Sequence, residues 1–346
     1  MCIVRVPFFS LCAVLFWHCA KASAEPIGLV LSGGGAKGAY EVGVWQGLQA
    51  VGLASKVTAI SGTSVGALNA ALFATRPDDA ERLWFERMGD VFTVNTNRVG
   101  ESVQKTLNDV SNAVDRAKQT GDNWKGVVSF SLATLVRVAD KYVKTVESPE
   151  KTVGYIDSSK IASVLDDILP KKWPSSTPSV YATAVEKGQV KVSEVWCLNS
   201  QSPEQRSRMI CASAAFPYAF DSVPLGDKVY VDGGWEEKGG DNSPISPILD
   251  NHPEIKTVVV VYLNDEKHLS LERRNRVRIA AGKKGVKVVE ILPSKDIDGP
   301  FGLGLFNASP KTARNLIELG RKDAREALLK AGLTKGVSES TAPFVK

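Results

Sequence analysis

The chain has 346 residues, 43% of them hydrophobic, and a formal net charge of +5 at neutral pH. This length is enough for one large α/β domain or two small ones. A charge so close to neutral does not favour nucleic acid as a partner, which requires a clustered basic face, but it is compatible with transient contact with an anionic membrane surface.

The first 24 residues have the pattern of a secretory signal peptide. Arg5 supplies a positive charge, residues 6–19 are mostly apolar, and Ala22-Ser23-Ala24 matches a small-residue cleavage site. The apolar stretch is shorter than a transmembrane helix normally needs. The pattern therefore predicts cleavage after Ala24 and export to the periplasm or the cell exterior, with an uncleaved membrane anchor as the alternative. The remaining residues, 25–346, are predicted to form one domain.

Short apolar runs alternate with helical stretches at the start of this domain. Residues 27–31 and 57–60 indicate buried strands, and residues 37–51 and 65–74 indicate the helices that follow them. Strands and helices that alternate at short spacing predict a parallel sheet with helices on its faces.

Residues 80–146 have a different pattern and are predicted to form a helical insertion. Apolar residues recur at helical spacing over 99–117, and a second, more apolar helical stretch covers 127–143. These helices either pack on the core or form a lid that contacts lipid above the site.

The sheet is predicted to resume after the insertion, with strands at 180–184, 191–197, 228–231, 256–263 and 286–292. A final helix has Ser309 as its N-cap and Pro310 at its first position, and it ends at Gly332. Cys197 and Cys211 follow the predicted cleavage site, and the sequence leaves open whether they form a disulfide or remain free thiols.

The pentapeptide Gly62-Thr63-Ser64-Val65-Gly66 lies between a predicted strand and a predicted helix. A nucleophile elbow is a sharp turn of this kind, and it needs small residues, here Gly62 and Gly66, on both sides of the serine. The helix N-terminus then faces the serine and favours developing negative charge. This context predicts Ser64 as a nucleophile, with a purely structural Gly-Ser turn as the alternative.

A second glycine-rich segment lies 26 residues before the elbow. A P-loop would need Lys and then Ser or Thr after its last glycine, but Ala39 and Tyr40 follow Gly38. A dinucleotide site would need an acidic residue about twenty positions later, and none stands there. The remaining interpretation is an oxyanion hole formed by backbone N–H groups. Its predicted residues are Gly33, Gly34, Gly35, Lys37 and Gly38.

A serine nucleophile needs a base within hydrogen-bonding reach. His252 and His268, the histidines of the predicted mature chain, lie in turn-like or charged segments typical of a solvated surface. Asp232 instead follows a predicted strand and precedes Gly233 and Gly234, where α/β folds place working groups. Asp232 is therefore predicted as the base, with an ordinary Asp-Gly turn as the alternative.

Together these three segments resemble the signature motifs of the patatin-like phospholipase family, in the same order and with a short first spacing. Residues 66–70 and 212–217 also resemble segments of that family. The resemblance implies a three-layer α/β/α sandwich with a mostly parallel central sheet. It also implies a Ser-Asp dyad that hydrolyses acyl esters of phospholipids, lysophospholipids or neutral lipids without a metal or cofactor.

One feature departs from the family's pattern. The acidic motif is usually followed closely by Asn-x-Pro, but here residues 235–240 precede Asp241-Asn242-Ser243-Pro244. Two alternative functions remain at this point. The first is an α/β-hydrolase with a Ser64-Asp232-His268 triad, although few residues precede its elbow. The second is a non-catalytic lipid-binding protein on the same scaffold. The oligomeric state is left open.

Overall fold

The computed structural model describes residues 25–91, 158–188, 193–217, 219–298, 305 and 307–334. The predicted signal peptide and both predicted helices of the insertion, at 99–117 and 127–143, lie outside these residues. Within the described ranges, no helix combines the length and apolar character needed to span a bilayer.

Within the described residues, eight strands form one sheet at the centre of the fold. Its strands are β1 (Ile27–Leu31), β2 (Val57–Thr63), β3 (Ser179–Glu186), β4 (Ser193–Cys197), β5 (Val223–Leu225), β6 (Lys228–Asp232), β7 (Thr257–Val261) and β8 (Lys287–Ile291). The order is β5-β6-β3-β2-β1-β7-β8, with β4 also paired to β3. The five neighbouring strands from β8 to β3 pair in parallel, whereas pairings that involve β4, β5 or β6 are antiparallel.

Helices cover both faces of this sheet. They are α1 (Ala39–Ala50), α2 (Val65–Thr75), α3 (Ala80–Val91), α4 (Ser158–Ile168), α5 (Pro203–Ser213), α6 (Ser246–Asn251), α7 (Leu271–Lys283) and α8 (Pro310–Lys330). Alternate residues of β7 enter two separate hydrophobic clusters: Val259 and Val261 join the one that includes α1–α5 and α8, and Val258 and Val260 join the one that includes α6 and α7. The predicted three-layer α/β/α sandwich is therefore confirmed.

Most of the elements predicted from apolar periodicity are present, with changed ends. The first helix begins at Ala39 rather than at residue 37, because Gly35–Gly38 forms a 3₁₀ turn. The final helix has the predicted cap, since the Ser309 hydroxyl accepts the Thr312 N–H. Cys211 is buried, Cys197 is half-buried, and both are free thiols.

Among the described elements, four helices and one strand were not predicted: α4, α5, α6, α7 and β5. Helix α5 has a local signal, because Ser202 and Gln205 form a capping box around Pro203. Helix α7 has almost none, since only Val277 and Ala281 are buried in thirteen residues that include four arginines. Such a helix has no apolar stripe for the sequence pattern to detect.

Helices α1 and α8 cross so closely that their backbones are in contact. A Cβ added to Gly43 would lie 2.0 Å from the carbonyl oxygen of Ile317, and one added to Gly320 would lie 2.1 Å from that of Tyr40. This crossing brings α8 against the helix that follows the glycine-rich segment.

We predict that Gly43→Ala lowers the free energy of unfolding by about 3 kcal/mol, because the new methyl group forces the two helices apart. The matched control is Gly282→Ala in α7, where nothing lies within 4 Å of the new methyl group. That variant should be unchanged or up to about 1 kcal/mol more stable. Chemical denaturation measures both; equal effects at the two positions would contradict the close crossing.

Candidate active site

Ser64 lies on a strained turn between β2 and α2. Its φ of 57° and ψ of −126° belong to a region that residues with a side chain rarely adopt. The turn is tight enough to require glycine on both sides: a Cβ on Gly62 would lie 2.2 Å from the Gly66 oxygen, and one on Gly66 would lie 2.4 Å from the Leu31 oxygen. Ser64 therefore has the backbone geometry of a nucleophile elbow.

A buried serine holds this turn in place. The Ser64 N–H donates to the Ser213 hydroxyl at 2.9 Å, and that hydroxyl donates in turn to the Thr183 carbonyl at 2.6 Å. Ser213 has no exposed surface. Its hydroxyl thus links the backbone of the elbow to the backbone of β3.

Strand pairing places Asp232 beside the elbow. Thr63, the last residue of β2, pairs with Thr183 of β3, and the next β3 residue, Ala184, pairs with Asp232 of β6. Because β4 pairs with residues 181–185 along one edge of β3, β2 and β6 must share the opposite edge. Along this edge of β3, Asp232 therefore occupies the position next to the end of β2, where the chain turns away at Ser64.

The same short segment supports both residues. The Asp232 N–H donates to the Ala215 carbonyl at 3.0 Å, and the Gly233 N–H donates to the Ser213 carbonyl at 3.2 Å. Together with the Ser213 hydroxyl, these bonds make residues 213–215 a common anchor for Ser64 and Asp232. The Ala-Ser-Ala-Ala sequence over 212–215 is the signal that could have identified Ser213 as a supporting residue.

The carboxylate of Asp232 is almost completely buried, with 4% of the residue exposed. Burial raises the pKa of Asp232 to about 6, and hydrogen bonds from the Ser64 side chain and the Gly234 N–H lower it in part. The Gly234 bond is 2.7 Å long. Asp232 is thus a stronger base than a solvated aspartate and still ionises at neutral pH.

The glycine-rich segment contributes three of its five predicted residues to the site. Gly33, Gly34 and Gly35 line the cavity beside Ser64. The Gly33 N–H donates to the Asn242 side chain at 2.7 Å, whereas the N–H groups of Gly34 and Gly35 have no hydrogen-bond partner among the described residues. Asn242 was not predicted, although it stands in the Asn-x-Pro segment noted in the sequence.

Lys37 and Gly38 do not line this cavity. The Lys37 N–H closes the turn by donating to the Gly34 carbonyl at 3.1 Å. The Lys37 ammonium is buried and binds the Leu263 carbonyl and the Asp298 carboxylate. Gly38 packs against Val65, since a Cβ there would lie 2.4 Å from its side chain.

Apolar side chains surround the dyad in a cavity of about 140 Å³. They come from α2, α3, α4 and the segment after α5: Val65, Leu68, Met88, Val91, Ile161, Ala214, Phe216 and Phe220, with Leu305. Phe216 is 43% exposed. Apart from Asp232, no charged residue contributes to the described lining.

Neither described histidine is part of this site. His252 contacts the Tyr181 hydroxyl at 3.0 Å, and His268 contacts Asp265 at 2.6 Å. His268, Asp296 and Asp298 form a group that could hold a metal ion. The Lys37 ammonium already neutralises Asp298, however, and the group does not line the cavity.

We predict that Ser64→Gly is about 1 kcal/mol more stable than Ser64→Ala, because both lose the hydroxyl but only glycine relieves the backbone strain. The same pair of substitutions at Ser207, inside helix α5, should show the reverse order by about 1 kcal/mol. Thermal unfolding of the four variants measures this. The same order at both positions would exclude strain at Ser64.

We predict that Asp232→Asn stabilises the protein at neutral pH. An aspartate with a raised pKa keeps its proton in the folded state as the unfolded state ionises, so stability is lost as pH rises from about 4 to about 6. Asparagine avoids this loss, which is on the order of 3 kcal/mol above about pH 6.

Thermal unfolding at about pH 8 and at about pH 4 measures the effect. The gain from Asp232→Asn should largely vanish at the lower pH. The exposed Asp227 provides the matched control, since Asp227→Asn removes no buried charge. A gain at Asp232 that does not change with pH would contradict the desolvation argument.

Similarity of this chain to known proteins is found in its sequence and in its structure. A family model described as patatin-like phospholipase matches residues 29–254. A patatin-like phospholipase domain-containing protein of Caenorhabditis elegans is 42% identical over 75 residues, which are 20% of this chain and 5% of that protein's length.

A match among the solved structures is VipD from Legionella pneumophila, with 15% identity, a TM-score of 0.42, and coverage of 89% of this chain and 67% of that one. The ExoU–SpcU complex of Pseudomonas aeruginosa matches with 17% identity and a TM-score of 0.41, over 88% of this chain and 52% of that one. Human GIVD cytosolic phospholipase A2 matches with 11% identity and a TM-score of 0.45, over 90% of this chain and 60% of that one. Since the family model matches more than half of the chain, the protein belongs to the patatin-like phospholipase family.

Proposed function

We propose that this protein hydrolyses acyl esters of phospholipids or lysophospholipids through an acyl-enzyme on Ser64. The observation that carries the proposal is the buried Asp232 carboxylate, hydrogen-bonded to the Ser64 side chain at the wall of an apolar cavity. A nucleophile, a base and an apolar cavity are the parts that such a reaction needs.

In the first step Asp232 takes the proton of the Ser64 hydroxyl while Oγ forms a bond to the ester carbonyl carbon. The C–O bond to the alcohol breaks as the tetrahedral intermediate collapses, and the alcohol or lysolipid leaves with the proton. Water then attacks the acyl-enzyme and gives a proton to Asp232. The bond between the acyl carbon and Oγ breaks, Asp232 returns the proton to Oγ, and the fatty acid and free Ser64 are released.

The oxyanion of both tetrahedral intermediates is assigned to the backbone N–H groups of Gly34 and Gly35. Among the described residues these donors are not used elsewhere, whereas those of Gly33 and Lys37 are. Free donors that are fixed in place before the reaction stabilise the oxyanion without a reorganisation cost. The positive end of the α2 dipole adds to this field, because α2 starts directly after Ser64.

The substrate class is inferred from the cavity. A wall of aliphatic and aromatic side chains suits an acyl chain better than a sugar or a peptide, which would need polar partners. The half-exposed Phe216 suits contact between the cavity and a lipid surface.

We further propose that the protein is exported to the periplasm or the cell exterior after cleavage at Ala24. It would meet such lipids there.

The experiment is product analysis by mass spectrometry on a panel of phospholipids and lysophospholipids presented in vesicles. The wild-type protein should release free fatty acid, and the accompanying product should be the lysolipid or its deacylated headgroup. Absence of fatty-acid release from every lipid and from a soluble acyl ester would overturn the proposal and favour a non-catalytic lipid-binding role.

We predict that Ser64→Ala and Asp232→Ala each reduce this hydrolysis by at least about 10³-fold, because each removes a group that acts in both steps. The double variant His252→Ala, His268→Ala is the control and should retain wild-type turnover. Loss of turnover in the histidine variant, or retention of it in either dyad variant, would contradict the mechanism.

A further inference from the structure

The segment from Trp235 to Ser243, named here the acidic-motif loop, connects Asp232-Gly233-Gly234 to helix α6. Its residues 235–240 are those that separate the acidic motif from Asp241-Asn242-Ser243-Pro244. It contains Gly239, with a φ of 90°, and Gly240. Glycines give a backbone many accessible conformations, so a single conformation of this loop depends on anchors outside it.

One side of the loop contacts the catalytic segments directly. The Asp241 carbonyl accepts the Thr63 hydroxyl at 2.7 Å, next to the elbow. The Asn242 side chain accepts the Gly33 N–H at 2.7 Å and donates back to the Gly33 carbonyl at 3.4 Å. Asn242 thereby fixes the first glycine of the proposed oxyanion segment.

The other side of the loop is bound by two arginines of helix α7. Arg273 makes a two-point contact with Glu236, with Nε and Nη2 each 2.9 Å from a carboxylate oxygen. Arg276 Nη2 bridges the Glu236 and Asp241 carboxylates at 2.9 and 3.1 Å. The pairs are partly shielded from solvent, since the Arg273 and Glu236 side chains are 12% and 29% exposed. Paired two-point contacts of this kind hold both position and orientation.

The same arginine also connects to the far end of the glycine-rich segment. Arg273 Nη1 donates to the Asn264 side chain at 3.3 Å, and Asn264 donates to Asp298 at 3.4 Å. Asp298 in turn binds the buried ammonium of Lys37. Hydrogen bonds therefore connect α7 to Lys37 through Asn264 and Asp298. The acidic-motif loop connects α7 to Gly33, because it binds the two arginines on one side and Gly33 on the other.

We propose that Arg273 and Arg276 are positioning residues that fix both ends of the Gly33–Lys37 segment, so that its free N–H groups stay aimed at the oxyanion. The catalytic part of this inference rests on the proposed function. The structural part, that α7 holds the glycine segment through the acidic-motif loop, does not depend on it.

The test uses three variants of the full chain: Arg273→Gln/Arg276→Gln, Glu236→Gln, and Arg278→Gln. Glu236→Gln weakens the same pairs from the loop side. Arg278→Gln is the matched control, because Arg278 lies on the same helix but pairs with Glu290, outside the acidic-motif loop. Circular dichroism and thermal unfolding establish that each variant is folded, and Glu236→Gln keeps the test decisive if the double variant is not.

The first readout is amide hydrogen exchange of the peptide that covers Gly33–Lys37. It should speed up by about 10-fold or more in the first two variants and stay unchanged in Arg278→Gln. The second readout is ester hydrolysis: kcat should fall by about 10-fold or more while KM changes little, because only the transition state uses the oxyanion donors.

The outcomes separate the two proposals. Unchanged exchange in folded Glu236→Gln and in the double variant would overturn the inference, whatever the activity of the wild type. Faster exchange in these variants with unchanged kcat would overturn its catalytic part. A wild type without hydrolysis of any ester overturns the proposed function, while the exchange result still decides whether α7 holds the glycine segment.

Discussion

The structure of the site depends on one buried carboxylate. Asp232 is removed from water and receives hydrogen bonds from the Ser64 side chain and the Gly234 N–H, so its negative charge is only partly compensated. Burial of a charge costs free energy, and that cost raises the pKa of this aspartate to about 6. The surrounding fold keeps the charge in place: β6 pairs with β3 beside the elbow, and residues 213–215 hold the backbone on both sides.

The same fold also maintains a strained backbone at Ser64. The backbone conformation of Ser64 is unfavourable for any residue with a side chain. The glycines around Ser64 allow the backbones of β1, β2 and α2 to approach each other. Strain and a buried charge are stable only where packing elsewhere compensates for them. The extensive apolar core between the sheet and helices α1–α5 and α8 provides this compensation. The geometry around Ser64 is therefore a property of the whole sandwich rather than of two side chains.

Much of this arrangement could be predicted from the sequence, because it is encoded locally. Buried parallel strands appear as continuous apolar runs such as Ile27–Leu31, and the elbow and acidic motif are short segments at strand ends. Helix α7 could not be predicted, since its arginines bind partners such as Glu236, 37 positions away in the chain. Lys37 and Gly38 were assigned to the oxyanion hole from the spacing of the glycines and from the resemblance to the family. A 3₁₀ turn that uses the Lys37 N–H and turns its side chain toward Asp298 was not visible in that spacing.

The central claim is that a buried aspartate, without histidine, activates Ser64. The most direct measurement is the rate at which a fluorophosphonate labels Ser64 as a function of pH, with the labelled peptide identified by mass spectrometry. The rate should rise with a single apparent pKa near 6, that of Asp232, and the rise should be the same in the His252→Ala, His268→Ala variant. A labelling rate that shows no such transition, or one whose transition disappears with the histidines, would contradict the account.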